Sequence, residues 1–256
     1  MEQEVANLDI RRVGRENAQL AEGIVVAIDV IRAFSVAAYA FEGGAETLWL
    51  VRTIEEAFEL RQSADDILEG ATEPPLLIGE VKGRLVPGFD LNNSPTMMQA
   101  ADVKGRYLIQ RTGAGTQGAV GAIHAQSLLV CSLVNAAATA GYIKEEMART
   151  AQNVLTLLPT GTKEGYDEQP NEDVACADYL QALLEGRVEA REELDQNLER
   201  LRKTGRFEIF KDEDGDFPAK DIGAVLDIDH FDFVMVGKRR HWRDVEFVEV
   251  REILNQ

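Results

Sequence analysis

Apolar runs of four to seven residues alternate along this chain with longer stretches whose apolar positions recur at helical spacing. That alternation predicts an α/β protein with mainly parallel strands and helices on the faces of the sheet. Ile24 to Ile28 reads as the first strand. After Asp29, the alanine-rich segment Phe34 to Phe41 reads as a helix ending at Gly43-Gly44. A strand over Thr47 to Val51 and an amphipathic helix over Thr53 to Ser63 follow. Leu76 to Gly79 is a buried strand, and a polar, glycine-punctuated loop then runs to Pro95 and into a short helix near Met97 to Ala101. Tyr107 to Gln110 begins the cycle again.

Shifting the chain by about 80 residues lays these landmarks over one another. The strand before Asp29 falls on the strand before Arg111, ETLWLV on QSLLVC, Leu76–Glu80 on Thr156–Thr160, and Asn92-Asn93 on Glu172-Asp173. Identities are few, so this is a repeat of topology. It predicts a single unit over residues 1–256, built from two similar α/β halves, about 20–103 and 104–186, with a C-terminal extension over 187–256. Ligands of such sheets bind at the carboxyl ends of the strands, which is where the charged landmarks fall. In the extension, Arg187 to Arg206 reads as a charged surface helix. KDEDGDFPAKD, Lys211 to Asp221, lacks the twelfth-position glutamate of an EF-hand and reads as a solvated acidic turn. AVLDIDHFDFVMV reads as a strand and turn.

Composition narrows the function. The 45% apolar content can fill a core. The 45 acidic against 27 basic residues give a formal charge of −18, which disfavours nucleic acid and anionic lipid while leaving room for a local basic pocket. Cys131 and Cys176 sit in apolar surroundings without a CxxC partner, as expected of a reduced, cytoplasmic setting. No apolar run reaches the length of a membrane span. The expected partner is a small phosphorylated acid, and a homo-oligomer is compatible with the sequence.

Three carboxylate landmarks carry the candidate chemistry. Glu80 leaves the LLIG strand and enters the loop GEVKGRLVPGFDLNNSP, where no helix start accounts for it. Asp29 ends a buried strand with Arg32 three residues on, and a helix cap is the commonplace role for such an aspartate. Glu172 and Asp173 open the helical segment NEDVACADYL. Asp29, Glu80 and Asp173 are the candidate catalytic groups, and Asp29, Glu80, Glu172 and Asp173 the candidate metal ligands. Magnesium uses one or two carboxylates together with water and phosphate oxygens, so Mg2+ is the expected ion.

The anion has its own candidates. RTGAGTQG follows a strand and opens a helical segment, so Thr112, Gly113, Gly115 and Thr116 offer amides and hydroxyls to a phosphate; a structural glycine turn is the even alternative. Arg32 and Arg111, both just past strand ends, can divide a substrate with two anionic groups between them. Asn93 and Ser94 on the long loop complete the binding set, with Ser94 and Thr112 hydrogen bonding to an anion rather than attacking. Asn135 either caps the helix after its strand or reaches into the cleft. His124, His230 and His241 lack metal-ligand spacing.

Together AIDVIRAFS, the Gly43-Gly44-Ala45 turn, LIGEVKGRLVPGFDLNNSP, TGAGT, SLVNAAATA and NEDVACADYL resemble the 2-phosphosulfolactate phosphatase family from about Ile24 to Gly186, with a looser match in DIDHFDFVMV. The resemblance implies that family's own α/β fold and a magnesium-dependent acid phosphatase. It implies removal of phosphate from the 2-hydroxyl of a sulfolactate-like acid, a step of coenzyme M biosynthesis. Two departures stand out: Phe34 follows Arg32-Ala33 where threonine is common, and RTGAGT replaces a TTNGT-like loop, so that Ala114 takes the place of an asparagine and Arg111 adds a charge. A phosphatase for a different phosphorylated small acid, a non-catalytic binder of a phosphorylated or sulfonated acid, and a transferase or lyase on a related acid are the alternatives.

Overall fold

A computed structural model describes residues 8–68, 73–165, 171–213 and 215–254. Its strands are β1 (Asp9–Arg12), β2 (Ile24–Ile28), β3 (Thr47–Leu50), β4 (Leu76–Val81), β5 (Arg84–Leu85), β6 (Tyr107–Arg111), β7 (Ser127–Cys131), β8 (Val154–Pro159), β9 (Phe233–Trp242) and β10 (Val245–Leu254). The helices are α1 (Ala33–Glu42), α2 (Ile54–Gln62), α3 (Ala64–Ile67), α4 (Pro95–Ala100), α5 (Gly115–Gly121), α6 (Ala136–Thr150), α7 (Glu172–Leu184), α8 (Ala190–Lys203) and α9 (Lys220–Val225). The α/β class, with mainly parallel strands and helices on the faces, is the one the apolar pattern predicts. Local chemistry explains the boundaries. Thr53 caps α2 in a reciprocal box with Glu56, Ser94 caps α4 with Pro95 at its first position, and Asn171 caps α7.

The ten strands form one sheet in the order β1-β8-β2-β7-β9-β10-β3-β6-β4-β5. Two parallel blocks stand in it, β1-β8-β2-β7 and β3-β6-β4. The antiparallel hairpin β9–β10 joins them, pairing with β7 on one side and β3 on the other. The segment expected to be a C-terminal extension therefore contributes the centre of the sheet. Read from its two ends, the order exchanges β8 with β4, β2 with β6 and β7 with β3, the pairs that the 80-residue shift superposes. The blocks do not follow the halves of the chain, however. β2 lies between β7 and β8, and β6 lies between β3 and β4, so each block takes its middle strand from the other repeat.

Alternation along the strands sorts side chains into three cores. Val25, Ala27, Leu48, Leu50, Leu108 and Val130 face α1 and α5, which both blocks enclose. Ala33 to Phe41 of α1 are consequently all buried. The opposite face of the first block packs on α6, α7 and α8 through Ile24, Val26, Leu129 and Leu157. That of the second packs around Trp49, Leu77, Ile109 and Phe247 with Ala57 and Leu60 of α2. The two blocks run in opposed directions, but five steps separate β2 from β6. Twist of about 20–25° per step turns the strands toward one another by roughly 100–125°. The carboxyl ends of β2, β4 and β6 thus meet where α1 and α5 begin.

Candidate active site

Asp29 directly follows β2. Its Oδ1 accepts the Ala33 amide at 2.8 Å and so caps α1, while its Oδ2 lies 3.3 Å from the Thr160 hydroxyl. A Cβ on Gly115, the first residue of α5, would stand 2.7 Å from Oδ2; the closeness of the carboxylate requires glycine there. Burial, reinforced by the neighbouring charges of Glu172 and Glu80, pushes Asp29 up to about 6. Glu80 lies at the end of β4, also buried. Its Oε1 accepts the Gly113 amide at 2.6 Å and its Oε2 the Gly83 amide at 2.5 Å, tying the loop after β6 to the β4–β5 turn. Neither carboxylate has an ion-pair partner among the described residues.

These two carboxylates line a cleft of about 230 Å3 together with Arg32, Lys82, Asn93 and Thr112. That volume lies below the ~300–1,000 Å3 typical of sites for drug-sized ligands and suits a small acid. Arg32 is buried in it, its guanidinium 5.4 Å from the centroids of both Phe210 and Phe217. Its Nη1 donates to Asp221 Oδ2 at 2.8 Å and to the Asp216 carbonyl at 2.9 Å, and its Nη2 to the Gly83 carbonyl at 3.2 Å. Asn93 accepts from Gln110 Nε2 at 3.2 Å through Oδ1, which leaves its amide nitrogen to the cleft. Of the loop amides, Gly113 is bound to Glu80 and Thr116 to the Thr112 hydroxyl; those of Ala114 and Gly115 carry no hydrogen bond among the described residues.

Several expected residues stand elsewhere. Arg111 donates to the carbonyls of Glu80 at 2.9 Å and Arg52 at 3.3 Å and does not line the cleft. Ser94 donates to Asp221 at 2.7 Å. Asn135 does not line the cleft; its Oδ1 accepts the Ser132 amide at 3.1 Å in a capping box of the short 3-10 turn Leu133–Asn135, and it gives α6 no side-chain cap. Thr116 is buried in reciprocal bonds with Thr112. Asp173 accepts the amides of Val30 and Gly161, both at 2.8 Å, and so ties the start of α7 to the ends of β2 and β8. Burial, with Asp29 and Glu172 nearby, pushes it well above the ordinary carboxylate range. Glu172 is buried and held by Arg206 through two hydrogen bonds, one of 2.9 Å from Nε. Among the described residues no group of three or more His, Cys, Asp or Glu is disposed as a ready-made metal cage.

The acidic segment after α8 departs from the expected solvated turn. Asp221 is completely buried and accepts from Arg32, Ser94 and Thr96. Asp216 accepts from Asn92 at 2.9 Å and from the Leu85 amide at 3.1 Å. With Arg206, Phe210 and Phe217 the segment forms a wall of the cleft. The available signal was Phe217-Pro218 inside an otherwise charged run, since an aromatic there needs something to cover it.

The arrangement is a small anion-sized cleft with unpaired carboxylates at its floor and cations around it. A family model described as 2-phosphosulpholactate phosphatase matches residues 11–239. The chain belongs to the 2-phosphosulfolactate phosphatase family. Similar proteins are the probable 2-phosphosulfolactate phosphatases of Bacillus subtilis (strain 168), 38% identical over 174 residues, 68% of this chain and 69% of that one, and of Carboxydothermus hydrogenoformans, 38% identical over 160 residues, 62% and 60%. That of Deinococcus radiodurans is 34% identical over 169 residues, 65% of each chain. Family membership places the chain among phosphatases, hydrolases of phosphoric monoesters. No helix among the described residues is long and apolar enough to cross a membrane.

Proposed function

We propose that this protein hydrolyses the phosphomonoester of a small 2-hydroxy acid, 2-phosphosulfolactate or a close analogue, with the help of Mg2+. The observation that carries the reading is the pair Asp29 and Glu80, buried and without a cationic partner among the described residues, in a cleft that Arg32 and Lys82 also line. Burial, reinforced by the charges of Glu172 and Glu80, raises Asp29 to about 6, and a divalent cation relieves that situation. Asp29 and Glu80 would hold the ion, with the substrate's phosphate oxygens and water as the remaining ligands. Bound there, Mg2+ supplies charge neutralisation of the phosphoryl oxygens and acidification of a water.

The chain's own groups do the rest. The free amides of Ala114 and Gly115, the Thr112 hydroxyl, the Asn93 amide and the remaining donors of Arg32 orient the phosphate and stabilise its equatorial oxygens. Asp29, whose Oδ1 is engaged by the Ala33 amide, would offer Oδ2 to the ion and is ionised for that role above about pH 6. Arg32 is fixed by Asp221 and by its two phenylalanines, so its orientation is set before substrate arrives. The role in coenzyme M biosynthesis and a cytoplasmic setting belong to this proposal. Release of inorganic phosphate from a panel of phosphorylated 2-hydroxy acids, with magnesium and with chelator, tests it. Magnesium-dependent release from 2-phosphosulfolactate or an analogue is the expected result; saturable binding without release under any metal would overturn it.

A further inference from the structure

Three cations line the cleft, and they are not equivalent. Arg32 is neutralised by the buried Asp221, and Arg206 by the buried Glu172. Lys82 has no ion pair and no hydrogen bond among the described residues. It occupies the first position of the two-residue turn joining β4 to β5, where Val81 pairs with Arg84. Its φ is +53 and that of Gly83 is +79. Both values are those of a type I′ turn, in which asparagine, aspartate or glycine usually takes Lys82's place. A lysine there does not serve the turn, but it does bring an uncompensated charge to the cleft two residues beyond Glu80.

The substrate class creates a need for such a charge. A phosphorylated 2-hydroxy acid carries one or more fixed anionic groups besides the phosphate, in a chain of net charge −18 and beside two carboxylates. The phosphate has the donors already described. Arg111, the last residue of β6, is committed to main-chain carbonyls. We infer that Lys82 is a specificity-determining residue that binds the second anionic group of the substrate, a carboxylate or sulfonate, and so selects phosphorylated acids over simple phosphomonoesters. This rests on the phosphatase reading. A lysine serves such a group as a mobile point charge, which suits an acid held at the mouth of a small cleft.

The test compares wild type with Lys82→Asn, which removes the charge but tolerates the left-handed turn, and with Lys82→Arg. The substrates are 2-phosphosulfolactate, its carboxylate analogue 2-phosphomalate, and glycerol 2-phosphate, which has no acid group. For the two acids, Lys82→Asn should raise KM about ten-fold or more, the loss of one charge-assisted contact, with kcat nearly unchanged. KM for glycerol 2-phosphate should stay the same, and Lys82→Arg should restore acid binding. An equal rise for all three substrates, or no rise for any, would overturn the inference. A larger effect on one acid identifies which group Lys82 meets and upholds it. Calorimetric binding of 2-phosphosulfolactate with chelator present separates the two readings. If wild type binds but releases no phosphate, the phosphatase reading fails, while weaker binding by Lys82→Asn alone still upholds the role of Lys82, and equal binding by both proteins refutes it.

Discussion

At Asp29 one carboxylate oxygen caps α1 while the other reaches the cleft beside Gly115. The group is raised from 3.8 to about 6, so at neutral pH the folded state holds an ionised group that the unfolded chain accommodates more easily. That rise corresponds to a cost of ~3 kcal/mol above pH 6 that vanishes below about pH 4, where both states are protonated. Asp29→Asn should therefore be inactive and also more stable at pH 8 by up to ~3 kcal/mol, with the gain disappearing in acid; denaturant unfolding at the two pH values measures it. Binding of Mg2+ at Asp29 should weaken as pH drops through about 6, because a proton competes with the ion for the carboxylate. Asp221→Asn should act oppositely, destabilising by about 3–5 kcal/mol because the buried Arg32 loses its counter-charge, read as a lower unfolding midpoint. Asp29 and Glu80 were legible because polar residues at the ends of apolar runs stand out. Asp221 was not, because its partner Arg32 lies far away in sequence and its neighbours are charged.

Among the elements, β2, the α2 region and the start of α7 follow the sequence reading closely, since caps and alternation are local signals. The β9–β10 hairpin shows the limit of such signals. Its second strand, VEFVEVREIL, is rich in the β-branched and aromatic residues of strands, but nothing local says that it pairs with β3 near the other end of the chain. The role of the acidic segment after α8 was hidden for the same reason. Gly79, by contrast, is a local necessity: its φ is +145, and a Cβ would collide with the Arg111 carbonyl of the neighbouring strand β6. Gly79→Ala should cost roughly 3 kcal/mol or more, enough to lower the thermal midpoint by many degrees or prevent folding, which calorimetry or soluble yield will show. A fully stable Gly79→Ala protein would contradict the β4–β6 pairing.

For the whole molecule, the exchange of middle strands between repeats has a functional consequence. Asp29 and Glu80 come from β2 and β4, in different blocks of the sheet, so the cleft exists only when both blocks are assembled around α1 and α5. An ion held between these residues would bind the native state alone and stabilise it by mass action. Addition of Mg2+ should raise the thermal midpoint of wild type in a concentration-dependent manner and leave Asp29→Asn and Glu80→Gln unmoved. Equal shifts in all three would place the ion elsewhere on this acidic surface. The 80-residue repeat was visible in the sequence, and so were the strand ends that meet. The interleaving was not, because it depends on pairings between distant strands.

The most direct measurement is the turnover of 2-phosphosulfolactate by wild type, Asp29→Asn and Glu80→Gln under saturating Mg2+, with circular dichroism confirming that each variant is folded. Wild type should release phosphate, and each variant should lose about two orders of magnitude or more in kcat. Near-normal turnover by both folded variants would contradict the assignment of this cleft as the site of hydrolysis.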